Sequence, residues 1–264
     1  MRKQIRKRFI IPAVLLAILA VPVGFLSVHA HINKKAMQKT IDSGMEILSA
    51  HYKIRELDAG EYTDIRVYGV MKFKVRQYAL EGLGNLSVMT TNMGFMQMLS
   101  FVITPFEKNM PLLSLDYMYF PGSRKTYNEL YDLVKDTKSL EYGKVLDIMR
   151  GLYDTAEPLA DLPRTEAAWY DDLLTVQLYK TGKSVQEEEI RALYCDAVSR
   201  YAQAADTLEP LSDAEQAEKK QITQEYCDNL IRKGGVSTDV FKKALGADTT
   251  KDFFDRVFFG TAGY

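Results

Sequence analysis

The sequence predicts an α+β fold: a three-layer α/β/α sandwich around a central antiparallel sheet. Three observations predict it. Residues 65–133 carry successive runs of period-two alternation, separated by short Gly and Pro turns. From residue 139 onward the apolar residues recur at helical spacing, punctuated by two capping boxes. Strands first, joined by short connections, and helices after them give a meander covered by helices. The 264 residues are 47% apolar and 26% charged, an ordinary globular balance with ample material for a core. No repeat or linker divides residues 31–264, which read as one domain behind an N-terminal segment, residues 1–30.

That segment has its own chemistry. Arg2, Lys3, Arg6, Lys7 and Arg8 precede an apolar run over 9–28, with no acid in the first 30 residues. As a helix the run is long enough to cross a bilayer core. The cations ahead of it hold the N-terminus in the cytoplasm and send the rest outside. Val28-His29-Ala30 also fits a cleavage site after Ala30. The segment is therefore a membrane anchor or a cleaved signal peptide. The domain is expected to be membrane-anchored or secreted and extracytoplasmic, and an inverted anchor would leave it on the cytoplasmic face. Without these residues the formal net charge of −1 becomes −6, because five cations and no acid are lost. That excludes a general nucleic-acid binder.

Beyond the run, Met37, Ile41, Met45, Leu48 and Tyr52 form one stripe of an amphipathic helix that closes near Asp58-Ala59-Gly60. Ile65, Val67, Met71, Phe73 and Val75 then alternate with Arg66, Lys72, Lys74 and Arg76, a strand with one basic face. That face is a solvated edge that resists aggregation, or a dock for an acidic partner. Further strands fall at 86–91, 95–104, 112–120 and 126–133. Ser184 and Gln186-Glu187 open a helix to Leu208, and Ser212 with Glu215 opens a second that stops at Gly234-Gly235. Ser237 or Thr238 caps a short helix to Leu245, and a last helix carries Phe253, Val257 and Phe258. Cys195 and Cys227 lie symmetrically about Pro210 in the two long helices. They are two buried thiols or, in an exported domain, a disulfide.

The chemical inventory is narrow. The three histidines, His29, His31 and His51, all precede the sheet, so no later nucleophile has a histidine base and no histidine-ligated metal site is expected. No phosphate loop or dinucleotide fingerprint occurs. Proton chemistry would fall to carboxylates or tyrosines. Asp116 stands out: both faces of the 112–120 strand are largely apolar, so its carboxyl is desolvated and its pKa rises unless it is paired. A structural buried aspartate is the simpler reading, and a proton donor is the functional one. Met89, Met93, Met96 and Met98 are core filling or an adaptable wall for a large flat ligand.

Residues 98–105 (MLSFVITP) with 110–118 (MPLLSLDYM), and the C-terminal Leu245-Gly246, Phe253-Phe254 and Val257-Phe258-Phe259-Gly260, resemble the ferredoxin-dependent bilin reductases. Trp169-Tyr170-Asp171-Asp172 is a looser match. The resemblance spans roughly residues 65–260. It implies an α/β/α sandwich and an oxidoreductase that reduces an open-chain tetrapyrrole. Single electrons would come from ferredoxin or a similar donor and protons from side chains, with no tightly bound cofactor and no metal. The family's central aspartate falls on Asp116. A histidine of some members falls on Ser100, a glutamate near Val88, and a C-terminal aspartate on Gly235, four residues from Asp239. By that resemblance Asp116 and Asp239 are the catalytic acids. Ser100, Met118, Asp171 and Asp172 line the substrate, and Arg124 or Arg232 pair its propionates. The alternative is an exported or anchored tetrapyrrole-binding or ligand-binding domain without catalysis.

Overall fold

The computed structural model describes residues 2–262 except Val70, Thr165 and Glu166, with side chains from Ser27 onward except that of Val236. The side chains of residues 1–26, which carry most of the anchor or signal reading, lie outside the described residues. Among the described residues no helix is long and apolar enough to cross a membrane.

A long helix α1 (Arg2–His51) leads into β1 (Ile54–Leu57), β2 (Asp64–Val67), β3 (Met71–Leu80), β4 (Gly84–Asn92), β5 (Gln97–Pro105), β6 (Leu112–Phe120) and β7 (Ser123–Tyr131). Two helices, α2 (Leu140–Arg150) and α3 (Leu152–Ala156), precede β8 (Ala160–Asp161) and β9 (Leu174–Lys183). The chain closes with α4 (Glu187–Asp206), α5 (Asp213–Lys233), α6 (Val236–Leu245) and α7 (Ala247–Phe253), the last running into a π-turn over Phe254–Phe258. All strands pair antiparallel in one sheet, ordered β1-β3-β4-β5-β6-β7-β9-β8, with β2 also on β3.

Period-two alternation splits the core in two. Leu99, Phe101, Leu115 and Tyr117 point into a core closed by α1, α2 and α4. Val75, Met89 and Val102 point the other way, against Tyr226 and Leu230 of α5, Phe241 of α6 and Phe253 of α7. Helices thus lie on both sheet faces. Strand β6 is interior to the sheet, but only one of its faces is fully buried: Ser114, Asp116, Met118 and Phe120 on the other are partly covered, against the expectation of two closed faces. Backbones also meet closely. Gly84, at φ +153°, lies where a Cβ would stand 2.2 Å from the Thr104 carbonyl oxygen.

Several expectations need correcting. The first helix ends at His51, because residues 54–57 are taken up as an edge strand on Gln77–Leu80. The single strand read over 65–76 is a hairpin, β2–β3, turning through Tyr68 (φ 52°) and Gly69 (φ 70°). Val67 pairs with Met71, so odd residues of both arms share a face and the alternation reads through the turn unbroken. Residues 174–183, read as part of the helical half, form β9 on β7. Cys195 and Cys227 are free and belong to opposite layers, since α4 and α5 lie on different faces of the sheet. The capping box at Ser212 holds, Glu215 accepting the Ser212 amide at 3.0 Å, whereas the one read on Ser184 and Glu187 forms one residue earlier, where Gln186 accepts the Lys183 amide at 3.0 Å.

Candidate functional site

The strand register lays one cross-sheet row through Asp116. Met89 of β4 faces Ser100 of β5, Ser100 faces Asp116 of β6, Asp116 faces Tyr127 of β7, and Tyr127 faces Tyr179 of β9. The flanking rows on the same face pair Ser114 with Glu129 and Met98 with Met118. The α5–α7 layer packs over β2–β5, while Ser114, Asp116, Met118, Tyr127, Glu129 and Tyr179 are only partly buried. Asp116 therefore sits where a packed sheet face becomes an open one.

Its carboxyl is held on both oxygens. The Ser100 hydroxyl donates a short hydrogen bond to Oδ1, and the Ser114 hydroxyl a long one, 3.4 Å, to Oδ2. Burial of the carboxyl pushes its pKa up to about 6. The nearby Glu129 adds to that rise, while the two serine hydroxyls oppose it. A carboxyl with this pKa exchanges a proton near neutrality, the property a general acid needs. Glu129 is bound in turn by the hydroxyls of Tyr179 and, at 2.7 Å, Tyr131. The Tyr127 and Tyr179 rings lie 5.2 Å apart. Replacing Glu129 with Gln removes a like charge, so the Asp116 pKa is expected to fall. A carboxyl-resolved NMR titration checks this, and an unmoved Asp116 would break the coupling.

A second wall comes from the chain entering β9. Tyr131 packs on Tyr170 and Tyr226, and Trp169 on both of these, with centroids 5.2–5.9 Å apart. Trp169 Nε1 donates to the Gly234 carbonyl at 2.8 Å, and the Lys233 ammonium lies 4.6 Å from its ring centroid. Arg164 pairs with Asp171 at 2.5 Å and lies in the electrostatic neighbourhood of Tyr179 and Tyr170. Tyr131, the ring neighbour of Tyr170, donates to Glu129, which joins this wall to the acid row.

Of the residues singled out by sequence, Asp116, Ser100 and Met118 come together on one face. Asp171 borders it, held by Arg164 and by the Ala168 amide at 2.9 Å, whereas Asp172 is exposed. Arg124 points to the opposite face. It is buried, bonded to Glu187 at 2.6 Å and stacked 5.0 Å from the centroid of Tyr119, so it cannot meet a ligand beside Asp116. Arg232 is exposed at the end of α5, where it bonds Asn229. Asp239 is exposed in the first turn of α6, 4.0 Å from Lys242. Sequence reasoning missed Glu129, Tyr127, Tyr179 and Arg164. For the first three the signal was present: alternation along 123–131 and 174–183 places them in phase. Among the described residues no group of His, Cys, Asp or Glu could hold a metal ion.

No family model and no curated protein matches the sequence. A solved structure does match the fold: phytochromobilin synthase from tomato, a ferredoxin-dependent bilin reductase, crystallised in complex with biliverdin. The match has a TM-score of 0.67 at 14% identity and covers 85% of this chain and 83% of that one. At that identity it shows a shared fold.

Proposed function

We propose that this protein binds an open-chain tetrapyrrole on the open β6–β7–β9 face and reduces it. Single electrons would come from ferredoxin or a similar carrier, and Asp116 would be the proton donor. The observation that carries the reading is Asp116 itself. It is a carboxyl with a pKa of about 6, on a face of tyrosines and methionines, in a fold also found in a protein solved with biliverdin. A flat conjugated ligand suits such a wall, because aromatic faces and thioethers contact it without demanding hydrogen bonds. Two-electron reduction consumes two protons, and Glu129 beside Asp116 is better placed than the exposed Asp239 to supply or relay the second. Arg164, in the electrostatic neighbourhood of Tyr170 and Tyr179, would pair a propionate in place of Arg124 or Arg232. A second reading, ligand binding without reduction, is favoured by Ser100, which stands where some bilin reductases carry a histidine.

The two readings separate in one experiment. The protein is mixed anaerobically with biliverdin, its visible spectrum is recorded, and a reduced ferredoxin is added. A shifted spectrum followed by progressive bleaching supports the reductase, and a stable shift supports the binder. An unchanged spectrum rejects both.

A further inference from the structure

The ends of the sheet are not alike. At one end lie the β2–β3 turn, the β4–β5 turn after Asn92, the β6–β7 turn at Pro121-Gly122, and the end of β9. They cluster because Lys72 pairs with Asn92, Asn92 with Gln97, Gln97 with Tyr119, and Ser123 with Lys183. Helix α1 leaves the domain at this same end. The Asn33 side chain donates to the Tyr119 carbonyl at 3.1 Å, whereas residues 52–54 sit at the far end, with Ile54 opposite Leu80.

This end carries most of the exposed large apolar side chains among the described residues. Tyr68 is 58% exposed, Phe95 50%, Val185 84%, Ile32 49% and Val28 58%. The remaining two, Leu140 and Tyr153, belong to α2 and α3. Exposed cations lie among them: Lys34 and Lys35 on α1, Arg66 and Lys72 on the hairpin, and Lys183 at the end of β9, with the exposed acids Glu188 and Glu189 of α4 beside Val185. Apolar side chains at turn tips amid lysine and arginine suit the boundary between acyl chains and anionic headgroups. The apolar run over 9–28 directly precedes Ile32 on the same helix. Continuity of the chain thus favours a bilayer as occupant over a protein partner.

We propose that this end of the sheet is a membrane-docking surface. Tyr68, Phe95, Val185 and Ile32 would enter the interface, and the surrounding cations would pair anionic phospholipid headgroups. The domain would then stand with its strands rising from the bilayer and not lying along it.

The test uses the full chain in vesicles of phosphatidylcholine with phosphatidylserine and involves no bilin, so it stands apart from the proposed reduction. Nitroxide labels are placed singly by Tyr68→Cys, Phe95→Cys, Val185→Cys and, as the control outside the patch, Leu140→Cys, all in a Cys195→Ser background. Labels at 68, 95 and 185 are expected to lose access to an aqueous nickel relaxant and gain access to oxygen, while the label at 140 stays aqueous. Equal aqueous access at all four positions would overturn the proposal. So would protection that appears without lipid and grows with protein concentration, because that would give the patch to a second copy.

Discussion

Replacing Asp116 with Asn is expected to leave the fold and tetrapyrrole binding in place while reduction falls by roughly two to four orders of magnitude, the range for losing a positioned proton donor. Asn keeps the shape: its Oδ1 can still accept from Ser100 and its Nδ2 can donate to the Ser114 hydroxyl, so the pocket is preserved and only the exchangeable proton is lost. Single-turnover bleaching of bound bilin by a reduced carrier reads this directly, and undiminished turnover would sink the assignment. The same variant makes a stability statement. The Asp116 pKa rises from 3.8 unfolded to about 6 folded, so between these values the native state holds the extra proton and stability drops as pH climbs. Above about pH 6 the cost levels off at about 3 kcal/mol, from 1.36 kcal/mol per pKa unit. Asn carries no such cost, so the variant should be more stable at pH 7 than at pH 4 relative to the parent, as denaturant titrations would show. A group that destabilises the fold in its charged form and is nonetheless held in place by two serines has the character of a functional residue.

How far the sequence carried this reading depends on the range of the interactions. Strand β6 was legible to the residue, because its bounds are set locally by Pro111 and Pro121 and its alternation fixes which side chains share the Asp116 face. The helix ends at Ser212 and Gly234 were legible for the same reason: caps are short-range chemistry. The site's other half was not. Glu129 acquires meaning when the tyrosines of β7 and β9 close on it, and β9 reaches β7 across more than forty intervening residues, two helices among them. The alternation of Val176 and Leu178 with Gln177 and Tyr179 was visible, but its neighbours on both sides are helical and no local turn announces a strand. Arg164 is placed by the path of the chain from β8 to β9, which no periodicity encodes. The misassigned Arg124 fails on phase alone. One residue away from Lys125 on β7, it belongs to the opposite face.

Replacing Lys219 with Met is expected to stabilise the protein by several kcal/mol in mild acid. Lys219 lies fully buried in α5, its ammonium donating to the Leu133 carbonyl, with no carboxylate paired to it among the described residues. Burial alone pulls its pKa down to about 7 from 10.5. Between those values the unfolded chain binds a proton that the native state does not, so stability rises with pH from about 7 to about 10.5 and is lowest below 7. The shift corresponds to about 5 kcal/mol at most. The Leu133 carbonyl, deprived of its donor by Met, gives back about 1–3 kcal/mol. Denaturant midpoints at pH 6 and pH 9 check both sign and size: the variant should gain most at pH 6 and its pH slope should flatten. An unchanged slope would mean that water or an anion reaches the ammonium.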